Sequence, residues 1–216
     1  TPVIKAVLRA APSEAQTLII DSPPGTSCPM VESLGGADAA LLVCEPTPFG
    51  LHDLALAVDV ARAMGKPMAV VINRAGAGGD REVEEFCREQ SLPILARLPQ
   101  ERQVAQAYAQ GHLICDLSDE WRERFVNLAI KTIELASGPK PQAQAPKAIE
   151  AIDNTQLFPG QIIEQEKPEQ AKRKTKEIVI ISGKGGTGKT SVTASLAFLS
   201  HEPVLADCDV DASDLH

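Results

Sequence analysis

The sequence predicts an α/β protein built on a doubly wound, mostly parallel sheet, and three observations carry that prediction. Short apolar runs of strand length alternate with stretches of helical spacing. A glycine-rich loop stands between one such run and a helix-like stretch. Hydrophobic residues make up 44% of the 216 residues and charged residues 23%, enough to bury a core and too apolar for wholesale disorder. Aromatics are only 3%, so Ala, Val, Ile and Leu must build that core.

Taken in order, TLIIDSPPG (17–25), AALLVCEP (39–46), MAVVINR (68–74) and ILARLP (94–99) read as buried strands ending in turn residues. Between and after them, 51–65, 80–90 and 121–136 carry apolar residues at helical spacing. Residues 1–137 therefore form one α/β segment. From 138 to 176 the composition turns to Pro, Gln, Ala and charge, which reads as a linker holding a short docking piece, NTQLFPGQII (154–163). Residues 177–216 re-enter a fold: a strand, a glycine loop and a helix over 176–200, then a strand from 203 ending in acids.

Composition also excludes. The 21 Lys and Arg against 29 Asp and Glu leave a net charge of −8, so no basic field is present to hold nucleic acid or an anionic membrane. The longest apolar runs fall far short of the ~20 residues a membrane span needs. Five scattered cysteines without a CxxC pair suit a reducing, cytoplasmic setting better than a disulfide framework.

The chemistry-bearing segment is Gly183-Lys184-Gly185-Gly186-Thr187-Gly188-Lys189-Thr190, which satisfies GxxxxGK[ST] between a strand and a helix and is followed by Ser191. Glycines let backbone N–H groups wrap a phosphate, and the helix N-terminus adds a favourable dipole. Lys189 then reaches the β- and γ-phosphates and the Thr190 hydroxyl binds Mg²⁺. Near the other end of the chain, LIIDSPPGT (18–26) is an apolar strand closed by an acid, Asp21, placed to hold Mg²⁺ through water. The stiff Pro23-Pro24-Gly25 turn follows, and the Gly25 N–H can meet the γ-phosphate. Asn73 ends a strand with an amide that offers both a donor and an acceptor, as an adenine edge requires. Asp207 and Asp209 close the last strand, where a turn brings both toward the phosphates.

KGGTGKT resembles the deviant phosphate loop of the MinD/ParA/Mrp family of P-loop ATPases, and DSPPGT resembles that family's switch II. The resemblance implies a Rossmann-like three-layer fold, ATP and Mg²⁺ as ligands, and a nucleotide-sandwich dimer or tandem pseudo-dimer. It implies that Lys184 acts in trans on the partner's phosphates, that Asp209 orients the attacking water and that Asp207 lies near Mg²⁺. Pro99 and the residues after it would flank the base, with Glu101 where the family more often has Asp. Cys28, seven residues after Asp21, stands at the distance at which the more distant nitrogenase iron protein places a cluster-binding cysteine; the alternative is a cysteine packing behind the turn.

Within the family the chain is most similar to MinD-like ATPases with an inserted two-cluster 4Fe-4S ferredoxin module. That implies an iron–sulfur or electron-transfer partner and places the clusters beyond His216. The usual order of motifs is reversed here, with the acid and base segments first and the phosphate loop last. Circular permutation explains this, and so does a fragment spanning the junction of two tandem copies, which the mid-domain look of both ends favours. Either way the two segments are complementary and should dock into one sheet with the glycine loop beside Asp21. The expected function is Mg²⁺-dependent ATP hydrolysis coupled to iron–sulfur work. The alternative is an ATP-dependent positioning switch of the ParA or MinD kind, and the isolated chain is also readable as catalytically inert.

Overall fold

Continuous apolar runs make poor amphipathic strands and good central ones, because a parallel strand covered by helices on both faces has no polar side. The sequence is rich in such runs, and the computed structural model uses them accordingly. It describes residues 2–12, 15–25, 28–143, 175–200 and 202–208.

The elements in chain order are α1 (Pro2–Ala10), β1 (Thr17–Asp21), α2 (Cys28–Gly36), β2 (Ala39–Cys44), α3 (Pro48–Ala63), β3 (Met68–Ala75) and α4 (Asp80–Glu89). There follow β4 (Ile94–Pro99), α5 (Arg102–Ala109), a 3₁₀ turn at Ile114–Asp116, α6 (Asp119–Ser137), β5 (Lys176–Ile181), α7 (Lys189–Leu199) and β6 (Pro203–Asp207). Every residue of β1 and β2 is buried.

The six strands form one sheet in the order β4-β3-β2-β5-β1-β6, and every pairing is parallel. β5 therefore sits between β2 and β1, although it lies far from both in the chain. The two segments share one sheet, as their complementary motifs lead one to expect. Helices cover both faces, an arrangement compatible with a Rossmann-like fold.

Side-chain alternation along the strands divides the core in two. Leu18, Ile20, Leu42, Val70, Ile72, Val179 and Ile181 pack on the side of α1 to α4. Ile19, Leu41, Val43, Val71, Ile178 and Ile180 face α6 and α7 with Trp121, Phe125, Leu128 and Val192. Burying each Leu or Ile contributes about 1.5–3 kcal/mol against leaving it exposed. Among the described residues two helices have side-chain starts: Thr47 accepts from the Gly50 N–H at 3.0 Å ahead of α3, and Ser118 from the Trp121 N–H at 3.3 Å ahead of α6. The Thr47 cap with Pro48 at the first helical position starts α3 three residues earlier than the apolar spacing indicates.

Of the stretch read as a linker, residues 144–174 lie outside the described residues, and with them the 154–163 piece. Its flanks are held at the amino ends of the strands. Asp38 accepts from Lys140 Nζ at 3.0 Å on one carboxylate oxygen and from the Glu177 N–H at 3.0 Å on the other.

The crossovers from β2 through β3 to β4 carry α3 and α4 on one face, while the crossover from β5 to β6 runs the other way with α7 on the opposite face. Such a reversal opens a crevice at the carboxyl ends of the strands.

Candidate functional site

The loop after β5 is where that crevice lies. Gly183 is pressed against α3, so that a Cβ there would stand 2.9 Å from the Asp53 carbonyl oxygen. At Gly188 a Cβ would collide with the Asn73 amide nitrogen, and the backbone is left-handed at φ +82°. Gly185 and Gly186 are different, because the space their Cβ atoms would take is open. The outer glycines thus let the loop fit the protein, and the inner ones leave a cradle of bare backbone.

α7 starts at Lys189 with Gly188 as its cap and no side chain bonding its first N–H groups. An uncapped, left-handed entry of this kind presents orphan N–H groups and the positive end of the helix dipole. The Thr187 hydroxyl is buried in the same loop without a hydrogen-bond partner. Both features fit an anionic group seated in the cradle.

The two distant segments meet on Asp21. Lys189 Nζ forms an ion pair with one of its carboxylate oxygens, and the Thr190 hydroxyl donates to the other at 2.9 Å. The pair is deeply buried, with side-chain exposures of 6% for Lys189 and 1% for Asp21. Burial pushes the Asp21 carboxyl up from its ordinary value; the Lys189 ammonium and the Thr190 hydroxyl pull it back, and Asp207 adds a further upward push. Asp207 pairs in register with Asp21 across β1 and β6, which sets the two acids side by side.

Among the described residues no three His, Cys, Asp or Glu side chains converge as a metal cage. The oxygen set of the Thr190 hydroxyl and the Asp21 carboxylate, with Asp207 beside it, suits a hard divalent cation that takes its other ligands from phosphate and water.

Two predicted contacts are already engaged within the protein. The Gly25 N–H donates to the Ser182 carbonyl at 3.0 Å, with Gly25 at φ +93°, so the turn after β1 folds back on the end of β5. Asn73 Nδ2 donates to the Thr187 carbonyl at 2.7 Å, which ties the end of β3 to the glycine loop. One N–H of that amide is therefore committed to the loop. Ser182 Oγ donates to the Lys184 carbonyl at 2.9 Å, while the Lys184 side chain is exposed.

A cavity of about 1000 Å³ extends from Gly185, Gly186 and Lys189 to Asn73, Pro99 and Tyr108, with Pro23 and Pro24 on its wall. The structure thus brings together Gly25, Asn73, Pro99, Asp21, Asp207 and the loop from Gly183 to Ser191. Asp209 lies outside the described residues. Cys28, the first residue of α2, is exposed, whereas Cys44, Cys87, Cys115 and Cys208 are buried.

Of the other residues at or beside this end of the cavity, Gln100, Arg102 and Tyr108 fall in the segment that follows Pro99 without being singled out, whereas Arg74 and Trp121 carry no functional mark in the sequence. Arg74, the last residue but one of β3, stands at φ +56° beside a register shift; it lines the cavity, and its guanidinium pairs with Glu45. Non-glycine residues rarely take that conformation, and it marks sites where backbone geometry is overruled by its surroundings. Nothing in the order of residues around Arg74 signals it.

Among the described residues no helix is long and apolar enough to cross a membrane. No family model matches the chain, and no solved structure matches it. It is similar to the uncharacterized protein MJ0579 of Methanocaldococcus jannaschii, with 29% identity over 101 residues, 47% of this chain and 34% of that protein. It is also similar to the uncharacterized protein MJ0578 of the same organism, with 25% identity over 121 residues, 56% of this chain and 41% of that protein. The matches therefore span well under half the length of these relatives.

Proposed function

We propose that this chain forms the nucleotide site of a Mg²⁺-dependent ATPase of the MinD/ParA/Mrp type, a P-loop NTPase whose motif order is permuted or drawn from two tandem copies. The observation that carries the reading is the meeting of Lys189 and Thr190 with Asp21, under a glycine cradle with an uncapped helix and an orphan Thr187 hydroxyl. A triphosphate satisfies each of these groups: its charge replaces that of Asp21 on Lys189, and its oxygens accept from the loop N–H groups and Thr187. Mg²⁺, held by Thr190 and Asp21 with Asp207 behind them, would supply positive charge to the phosphate oxygens.

Hydrolysis adds water to the terminal phosphorus as its bond to the bridging oxygen breaks, giving ADP and inorganic phosphate. In this reading Asp209 orients the water, and Lys184 reaches the phosphates of a partner copy. Binding draws the Gly25 N–H from the Ser182 carbonyl toward the γ-phosphate, and hydrolysis lets it return, so the turn ahead of Cys28 reports nucleotide state. Cytoplasmic work with an iron–sulfur or electron-transfer partner, through clusters held outside this chain, completes the proposal.

Calorimetric titration with Mg·ATP tests the binding, and phosphate release tests turnover. Lys189→Ala should abolish both. Binding and turnover unchanged in that variant would remove the reading.

A further inference from the structure

We infer that Trp121 is a positioning residue for the base end of the cavity, holding the Glu101 carboxylate as a fixed acceptor for a donor group of the nucleoside. The inference rests on the nucleotide reading above and adds to it a selection rule. Glu101 lines the cavity next to Pro99 and Gln100, at the cap position of α5. Its side chain makes no bond to the N–H groups of that helix, so the carboxylate is not spent on capping. Both of its protein donors meet the same oxygen: the Trp121 indole N–H at 3.4 Å, and the Gln103 amide, reach Oε2. No hydrogen bond among the described residues reaches Oε1.

The indole is itself well anchored. Trp121 is 3% exposed, its backbone N–H is bound by the Ser118 hydroxyl, and its ring lies 6.3 Å from that of Phe125 with the Arg124 guanidinium 5.9 Å from its centroid. A buried indole N–H needs an acceptor, and here the acceptor it has is an acid on the cavity wall. An ionised carboxylate only accepts. The ligand must therefore bring a donor, and a nucleoside has two kinds: the sugar hydroxyls and the amino group of the base. A carboxylate held in place before binding loses less freedom on contact than a swinging one, which favours the ligand that supplies the donor.

The test is ATP affinity in the wild type, Trp121→Phe, Glu101→Ala and the double variant, each also measured with 2′-deoxy-ATP, 3′-deoxy-ATP and inosine triphosphate. Each single change should weaken ATP roughly threefold to tenfold, and the double variant should be no weaker than Glu101→Ala alone, because the tryptophan acts through the acid. The analogue that loses least on Glu101→Ala names the donor, a sugar hydroxyl or the amino group. As the chain has one tryptophan, its fluorescence reads the same contact: it should change on saturation with ATP in the wild type and less in Glu101→Ala. Should Trp121→Phe fail to fold, the Glu101→Ala analogue series and the fluorescence still decide. If ATP binds and requires Lys189, yet neither variant alters affinity or analogue preference, the inference is overturned while the nucleotide site stands. No binding of ATP by the wild type overturns both.

Discussion

Replacing Asp21 with alanine strands the Lys189 ammonium in a site where only 6% of its side chain meets solvent. Removing one partner of a buried ion pair typically costs about 3–5 kcal/mol, since the remaining charge keeps its desolvation penalty and loses its attraction. For a chain of this size each kcal/mol moves the midpoint by roughly 2–4 °C, so Asp21→Ala should melt about 6–20 °C below the wild type in buffer with a chelator. An inorganic triphosphate offers the missing negative charge, and should therefore raise the melting point of Asp21→Ala by more degrees than that of the wild type, where it must first displace Asp21. A ligand at a hundred times its dissociation constant stabilises by about 2.7 kcal/mol, enough to return much of the loss.

Lys189→Met is the control. It leaves Asp21, whose carboxyl burial already pushes up, to take a proton, so its cost is smaller in acid and grows as pH rises through that raised pKa. Triphosphate should give Lys189→Met no stabilisation. Thermal melts of the three proteins with and without triphosphate settle the matter. If the two variants lose equal stability at every pH and triphosphate helps neither, Lys189 is not held ready for phosphate.

Gly185→Ala should fold with a melting point near the wild type while weakening triphosphate binding, because its Cβ enters the open cradle; Gly183→Ala should lower the melting point by several degrees, because Asp53 backbone stands in the way. Native-state alkylation followed by mass spectrometry should mark Cys28 within minutes and leave Cys44, Cys87, Cys115 and Cys208 unmodified until denaturant is added. Burial pushes the Cys44 thiol up to about 12, and the Cys87 and Cys208 thiols up to about 11. The folded protein keeps these protons longer than the unfolded chain, so their stabilisation is full below the ordinary value of 9.0 and fades as pH climbs through the raised values. Denaturant midpoints measured between about pH 8 and pH 11 should fall, and fall less steeply in Cys44→Ala.

Most strands were legible because LIID, AALLVC and AVVI are uninterrupted apolar runs, which only a doubly covered strand tolerates. The pairing of Asp21 with the glycine loop was legible because each half of the site is incomplete alone. α2 was not read: CPMVESLGG has two glycines and little periodicity, and three buried residues, Met30, Ser33 and Leu34, hold it in place. The order of strands could not be read, since the apolar runs carry no mark of which neighbour each takes. The Gly25 and Asn73 contacts were missed for a different reason: a donor suited to a ligand suits a nearby carbonyl equally, and Ser182 and Thr187 supply those carbonyls. Nor does any spacing join Trp121 in α6 to Glu101, twenty positions earlier at the cap of α5.

The carboxylate of Asp38, gripping Lys140 with one oxygen and the backbone of Glu177 with the other, makes the intervening residues a ring fastened at its neck. Enlarging such a ring is thermodynamically cheap, about 0.6 kcal/mol for each doubling. A fold closed in this way should tolerate a longer or shorter segment between those two residues with little change in melting temperature.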